Sequence, residues 1–526
     1  MNCNKKKWLL ALALSLPIIL FYGVHFFYHD ANHKPSGLIQ WENALYMHSA
    51  KEYKTGNAVI FYQYPLDDDP QSPKIFFQPQ QFILGYLWKY SPLEPGIIIS
   101  IFGLIFTLFT IRVSIEIISN TLPEKKHLVL TSFLFTWGGG ILSLCGIVLH
   151  FVYFKNTGNL SDHIFFLDPG NGWWCLNFGR ALVYPLEAYY HFLFMLIILS
   201  AMQKKFVRVA LLIIVLTLSH PYSSTEILLI IASWAFIEFF YLKSKEIKMK
   251  DLALISAALI FHLLYYGVLL QQYPVSAVIS QQVALNWSYK AWHFIPAYFI
   301  VWVLGFWAVK NVALLQKHFS SPINRLFFCF GFFAFLLSIH GFAIKPIQPL
   351  HYTRGYVYAG FFLFAIPVII GILNYVQEKK STLFKVATFT FILIFLSDNI
   401  SWFYLNSSKN GTGVLFTKNQ QELIHFFSKK NEKGWIISTE KNEKTTSFLQ
   451  LYSLYKGWIP HPILTFNIAS KKEAVNIFLF QQKVDDRWTK VPAYFYAEKN
   501  DTALNNKKII FPVVFENEEY KVYKIN

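Results

Sequence analysis

The feature that most constrains this 526-residue chain is a series of about eleven long apolar runs separated by short polar segments. Each run holds about 18 or more mostly apolar residues, the length that an α-helix needs to cross the hydrocarbon core of a bilayer. Only 15% of the residues are charged, against roughly a quarter in an average soluble domain. The pattern therefore predicts a polytopic α-helical membrane protein, with spans near 8–27, 94–114, 128–153, 183–201, 206–222, 224–242, 252–271, 291–309, 325–344, 355–375 and 384–403.

The positions of Lys and Arg predict how these spans are oriented. Short cytoplasmic loops are enriched in both residues, and with the N-terminus inside, every inner segment carries at least three of them. We therefore expect a membrane domain over residues 1–403, with an outer loop at 28–93, and an extracytoplasmic domain over residues 404–526. The bias towards Lys, Asn and Ile favours a bacterial inner membrane. Because inner loops and the Lys-rich tail account for much of the net charge of +17, that charge gives no support for a nucleic-acid partner.

The tail after about residue 404 has the pattern of a small α/β domain. Helical spacing over residues 419–429 leads into a buried strand at 434–438, and a second helix is predicted over about 443–455. Two apolar runs at 508–515 and 519–525 flank a polar turn and predict a β-hairpin.

Two isolated carboxylates, Asp30 and Glu42, follow the first span. Transfer of a sugar from a lipid phosphate to a hydroxyl needs a carboxylate that accepts the hydroxyl's proton as the new bond forms. An acid held beside the bilayer meets that need. Both acids are equally compatible with ordinary solvated loop positions, so the spacing alone leaves the two interpretations open.

The segment Glu42-Asn43-Ala44-Leu45-Tyr46, followed by Lys51-Glu52, resembles the first-loop motif of GT-C class glycosyltransferases, particularly the aminoarabinose transferase and protein O-mannosyltransferase families. That motif has an acidic pair, a Tyr four residues after the first acid, and a basic-acidic pair five residues beyond the Tyr. The resemblance places Glu42 at the catalytic acid. Asp30 remains a competing base because it lies even closer to the first span. Glu stands where Asp is more usual, and Asn replaces the second acid, which weakens a metal-binding role there.

The resemblance covers mainly residues 8–115. It implies a GT-C fold and an inverting enzyme that moves a sugar from a polyprenyl-phosphate donor to a glycan, lipid or protein acceptor on the outer face of the bilayer. In these families a Pro element begins the helix that returns to the membrane, and Gln78-Pro79 occupies that place here. A plain helix start without chemistry is the other interpretation of that pair.

Arg354, just before the tenth span, is the main candidate for binding the donor's phosphate, because a guanidinium stays charged and forms two parallel hydrogen bonds. An Arg that reaches to lipid headgroups gives the same pattern. We expect Arg354 and Glu42 to approach one outer cavity. The further substrate or phosphate candidates are Lys345, His351, Arg180, His220, Tyr46, Lys51 and Gln78.

We assign no metal ligands from the sequence, and no cofactor is certain. The four cysteines lack metal-type spacing. A divalent cation is a candidate only at Asp67-Asp68-Asp69, since carboxylates are hard ligands, but exposed acids are more often simply solvated. A transporter or flippase of lipid-linked solutes and a non-catalytic cell-envelope assembly protein are the alternatives. Transporters place charges near the midplane, whereas polar residues here concentrate in outer loops, which favours an enzyme.

Overall fold

The computed structural model describes residues 3–69, 71–244, 246–283, 293–310, 319–379, 382–501, 503 and 509–526. In chain order its α-helices, labelled α1 to α21, are Cys3–Phe27, Asn43–Lys54, Pro79–Tyr90, Pro95–Thr121, Leu128–Trp137, Leu142–Val152, Leu160–His163, Phe178–Ala181, Pro185–Met202, Phe206–Ser219, Pro221–Phe236, Met249–Leu264, Pro274–Val283, Phe294–Lys310, Pro322–Ser338, Tyr356–Lys379, Thr382–Asn406, Lys418–Ser428, Glu443–Tyr452, Ile468–Gln481 and Asp486–Thr489. The strands β1 to β7 are His33–Pro35, Leu415–Thr417, Trp435–Ile437, Lys456–Gly457, Ala493–Glu498, Val513–Glu516 and Tyr520–Lys524.

Within the described ranges, seven helical segments are long and apolar enough to cross a membrane. Helices α5 and α6 are together long and apolar enough to form one further span, with a bend between them. Helices α10, α14 and α15 are apolar but shorter. The architecture is thus that of a polytopic membrane protein with a C-terminal region that contains a sheet. The count of about eleven spans stays a prediction.

The chain forms two compact units. The first, which we call the helical unit, comprises Met1–Phe21, Phe102–Gly267 and Leu285–Ser408. The second, the sheet unit, comprises Tyr22–Ile101, Val268–Ala284 and Lys409–Asn526. The structure thus groups the first outer loop with the C-terminal region, and one reason is that β1 pairs antiparallel with β2. The division into a membrane domain over residues 1–403 and a separate domain over residues 404–526 stays a prediction.

A broken helix is the main irregularity of the helical unit. The segment 138–140, three glycines in sequence, separates α5 from α6, which are bent by 48°. A helix that begins in apolar surroundings needs partners for its first N–H groups. The buried carboxylate of Asp398 on α17 accepts hydrogen bonds from the backbone N–H groups of Gly140 (3.1 Å), Leu142 (3.2 Å) and Ser143 (2.8 Å). A buried acid therefore caps α6.

The sheet unit is organised around a five-stranded sheet of order β4-β3-β5-β7-β6. Strands β3, β4 and β5 are parallel, while β5, β7 and β6 are antiparallel. Alternate residues of a strand face opposite sides, and both sides are covered by apolar side chains. One side packs Ile437, Phe495 and Trp458 with Phe478 and Leu479 of α20, and the other packs Ile436, Tyr494 and Val522 with Leu423 and Phe427 of α18.

Several local predictions are confirmed. Helices α18 and α19 lie where helical spacing placed them, β3 is fully buried, and β6 and β7 pair as the predicted hairpin. Pro79 occupies the first turn of α3, directly after Gln78. This position suits Pro because the first N–H groups of a helix have no intrahelical partner.

Candidate functional site

Glu42 lies immediately before α2, at the helix end where the positive pole of the helix dipole favours a carboxylate. Its side chain is exposed and makes no hydrogen bond or ion pair with any residue that the structure describes. The next motif position differs, because Asn43 is 3% exposed and its amide oxygen accepts from the Gln40 N–H at 3.0 Å. At the position of the motif's acidic pair, the chain thus has one exposed carboxylate, Glu42, followed by a buried structural amide, Asn43.

The remaining motif positions lie on α2. Tyr46 follows Glu42 by four residues, which places the two on one helical face, and it is half-buried. Lys51 donates to the backbone carbonyls of Gln450, at 2.5 Å, and Ser453, and so ties α2 to the end of α19. Burial lowers the pKa of Lys51 to about 8. The basic position of the motif therefore anchors the helix that carries Glu42.

Asp30, the competing base, is fully engaged. One carboxylate oxygen accepts from the His33 imidazole at 2.7 Å and from the Asn32 N–H at 2.9 Å, and the other accepts from the Asn410 amide at 2.5 Å. These bonds, that from His33 foremost, lower the pKa of Asp30 to about 2. A carboxylate of such low basicity is a poor proton acceptor, so the geometry favours Glu42.

Gln78 and the middle acid of the acidic triplet both have partners within the sheet unit. The Gln78 side chain accepts from the Tyr62 hydroxyl at 2.7 Å. Asp68 accepts from Arg487 at 3.2 Å and lies 3.6 Å from the Lys471 ammonium. Over the described ranges, no group of three His, Cys, Asp or Glu side chains is arranged to hold a metal ion. The Asp67-Asp68-Asp69 cation site therefore gains no support.

Arg354 lies in the helical unit, at the start of the segment that leads into α16. Its side chain is 18% exposed, and its guanidinium forms an ion pair with Glu187 at the first turn of α9 and stacks over the Trp174 ring at 4.4 Å. The Arg354 carbonyl bonds with His191 Nε2 at 2.7 Å. A charged, partly exposed guanidinium held on an aromatic face can bind an anion such as phosphate.

Two of the softer phosphate candidates lie in the same aromatic cluster. The His351 ring stacks on Tyr222 at 4.4 Å and meets Trp174 edge-on at 5.2 Å. The His220 ring lies 6.0 Å from His351 and stacks on Tyr190 at 4.4 Å. The structure thus brings Arg354, His351 and His220 together, while Lys345 is exposed on the segment that precedes His351.

Arg180 has a different setting. It is 1% exposed, and its guanidinium donates to the Asn177 side chain and to the Cys175 carbonyl, both at 3.1 Å. Asp168, in the same loop, accepts from the N–H groups of Gly170 and Cys175 at 2.9 and 2.8 Å, and burial raises its pKa. These contacts order the segment between α7 and α9, so the phosphate-binding prediction for Arg180 gains no support.

The sequence alone assigns no partner to two acids that lie inside predicted spans, Glu187 and Asp398. Glu187 pairs with Arg354, 167 residues away. Asp398 is fully buried and caps α6. The available signal was the same for both, because an acid inside an apolar run is costly unless it is paired or hydrogen-bonded.

Comparison with solved structures identifies the fold. The crystal structure of the Archaeoglobus fulgidus oligosaccharyltransferase, tethered to an acceptor peptide that contains the NVT sequon, aligns with a TM-score of 0.50 at 12% sequence identity, covering 92% of this chain and 69% of that one. The archaeal oligosaccharyltransferase AglB from the same organism, in complex with an inhibitory peptide and a dolichol-phosphate, aligns with a TM-score of 0.45 at 10% identity, covering 94% and 70%. No protein-family model and no curated protein matches the chain.

The first likeness shows that this chain shares the fold of the Archaeoglobus fulgidus oligosaccharyltransferase over 92% of its length. The seven long apolar helices of the described residues are those of an integral, multi-pass membrane protein. The aminoarabinose transferase or O-mannosyltransferase subtype stays a prediction.

Proposed function

We propose that the protein is a glycosyltransferase that moves a sugar from a polyprenyl-phosphate donor to a glycan, lipid or protein acceptor on the outer face of the membrane. The observation that carries the proposal is the free carboxylate of Glu42 at the first-loop motif of a chain with a GT-C fold. Fold alone does not define activity, and this carboxylate supplies the chemistry that the reaction needs.

The reaction is a single displacement. The acceptor oxygen attacks the anomeric carbon, the bond between that carbon and the phosphate oxygen breaks, and the acceptor's proton passes to Glu42. The bonding electrons leave with the polyprenyl phosphate, and the anomeric configuration inverts. Arg354 is proposed to stabilise the negative charge of the leaving phosphate, with His351 and His220 shaping the same cluster. In this proposal Tyr46 and Lys51 position α2 rather than react.

A transporter of lipid-linked solutes is the second candidate. The broken helix at residues 138–140 and the buried charges of Glu187 and Asp398 are features that membrane transporters share. Here, however, the carboxylate of Asp398 is used to cap α6, and Glu187 is paired with Arg354. These contacts give both charges a structural explanation that needs no transported ion.

The proposed orientation places the N-terminus in the cytoplasm and residues 404–526 outside, in a bacterial inner membrane. Eleven spans are obtained when α10, α14, α15 and the bent pair α5–α6 each count as one crossing. The partners are then a polyprenyl-phosphate sugar, its acceptor and the bilayer itself.

The deciding experiment reconstitutes the purified chain in proteoliposomes that contain radiolabelled polyprenyl-phosphate pentose, hexose or aminosugar donors, together with membrane extract as acceptor. A glycosyltransferase releases free polyprenyl phosphate and transfers the label to an acceptor. A transporter moves the intact donor across the bilayer without release. The absence of release with every donor, in a protein that retains its thermal unfolding transition, would reject the proposed activity.

A further inference from the structure

The sheet unit contains a cavity of about 200 Å³ that has no role in the chemistry described above. Three segments far apart in sequence line it, from the first outer loop, from the start of α13 and from the turn before α20. Its distinctive lining residues are four aromatic and two acidic side chains, namely Tyr64, Phe76, Tyr273, Phe466, Asp67 and Asp69.

Asp67 is the most informative lining residue. It is 1% exposed, and its Oδ1 atom accepts from the Asp69 N–H at 3.1 Å. Its Oδ2 atom is buried and has no hydrogen-bond partner among the described residues. A buried carboxylate oxygen without a donor costs free energy, and a donor supplied by a ligand removes that cost.

The wall that carries Asp67 is held in place before any ligand arrives. The Asp67 N–H donates to the Tyr64 carbonyl at 3.1 Å, and the Asp67 carbonyl accepts from the Lys456 ammonium at 3.1 Å. The Tyr64 hydroxyl donates to the Leu464 carbonyl at 2.8 Å. These bonds join the first loop to residues 456–464, so little order needs to be imposed when a ligand binds.

Aromatic faces beside carboxylates match the surface of a sugar ring, which has apolar C–H faces and hydroxyl donors at its edge. The two acids make the cavity unsuitable for a phosphate. The volume corresponds to roughly six or seven water molecules and is below the range of roughly 300–1,000 Å³ for drug-sized ligands. We propose that this cavity binds one sugar residue, with Asp67 accepting its hydroxyl hydrogens. Sugar binding at this cavity goes beyond the proposed function and does not rest on it.

The test uses the full chain in nanodiscs and saturation-transfer NMR with three probes, methyl α-glucopyranoside, methyl α-mannopyranoside and glucosamine. We expect saturable signals from ring protons of at least one sugar and a loss of affinity of at least tenfold in Asp67→Asn and in Phe466→Ala. The matched control is Asp162→Asn, an exposed acid of the helical unit, which should leave binding unchanged. Thermal unfolding of each variant establishes that it is folded. If Asp67→Asn does not fold, Phe466→Ala still tests the site.

The outcomes separate this inference from the proposed function. The sugar site would be overturned if none of the three sugars bound saturably. It would also be overturned if Asp67→Asn and Phe466→Ala bound sugar as tightly as the wild type, or if ethanolamine, a simple amine, bound as tightly as the sugars. Transfer from a polyprenyl donor without sugar binding refutes the site and leaves the enzyme intact. Sugar binding that depends on Asp67, without transfer from any donor, supports the site and rejects the enzyme.

Discussion

Arg354 and Glu187 form an ion pair in which the Glu187 side chain is 4% exposed and the Arg354 side chain 18%. The charges are therefore matched before any substrate arrives, and the same contact orients Arg354 over Trp174. Removing one partner of a buried pair leaves an uncompensated charge, whereas removing both often costs little. Stability and phosphate binding at Arg354 can thus be separated by mutation.

We predict that Glu187→Gln and Arg354→Met each destabilise the protein by roughly 3–5 kcal/mol, and that the double variant recovers most of this loss. Thermal or denaturant unfolding in detergent measures the three changes. The double variant should nevertheless lack transfer activity, since its phosphate-binding group is missing. Full transfer by a stable Glu187→Gln/Arg354→Met protein would exclude Arg354 from the reaction.

Glu42→Gln should lower transfer by roughly a hundredfold or more, because it removes the proton acceptor while it keeps the side-chain size. Unfolding should be unchanged, since the Glu42 carboxylate is exposed and unpaired among the described residues. Asp30→Asn is the matched control and should do less. Activity that is lost in Asp30→Asn but kept in Glu42→Gln would assign the base to Asp30.

The proposed orientation predicts that reporter fusions after Lys204 and after Asn406 lie on opposite sides of the membrane, with Lys204 inside. An alkaline phosphatase reporter is active outside, and a fluorescent protein reporter is fluorescent inside. Two fusions that report the same side would contradict the arrangement of spans between them.

Asp398→Ala should destabilise the helical unit by at least roughly 3 kcal/mol, because three backbone N–H groups and the Ser143 hydroxyl lose their acceptor. Asp398→Asn retains one acceptor oxygen and should have an intermediate effect. Ser397→Ala, at the neighbouring position on α17, should change the unfolding midpoint little. Equal midpoints for the wild type and Asp398→Ala would show that α6 does not depend on this cap.

The sheet unit should lose stability as the pH falls below 6.5, because burial lowers the pKa of His461 to about 4. In the folded state its Nδ1 accepts from the N–H groups of Ile463 at 3.0 Å and Leu464 at 2.9 Å, and protonation would break these bonds. The unfolded chain takes up the proton near pH 6.5, so the stability is complete above that pH and is lost between 6.5 and 4.

At pH 5 the loss from His461 should be on the order of 2 kcal/mol. His461→Asn keeps an acceptor at this turn without titrating, so its unfolding midpoint should depend less steeply on pH than that of the wild type. His48 contributes with the same sign, because burial lowers its pKa to about 3. The exposed His425→Asn is the control, and an unchanged slope in His461→Asn would contradict the prediction.

The sequence by itself determined which apolar segments are long enough to form membrane-spanning helices, and it predicts which residues of the first loop carry chemistry. The backbone N–H and C=O groups of a helix inside a bilayer are hydrogen-bonded within the helix itself. One continuous apolar segment of the sequence is therefore enough to predict such a helix. The hairpin of β6 and β7 and the helix start at Pro79 could be predicted as well, because both depend on residues close together in sequence.

Only the tertiary structure decided which charged residues are available. Asp30 and Glu42 look alike in sequence, and what separates them is that Asp30 accepts hydrogen bonds from His33 and Asn32 close by and from Asn410, 380 residues away. The partner of Arg354 is likewise 167 residues distant, and the cap of α6 comes from a helix about 255 residues further on. Such pairings depend on how helices and loops pack against one another, and packing leaves no periodic trace in the sequence around either partner.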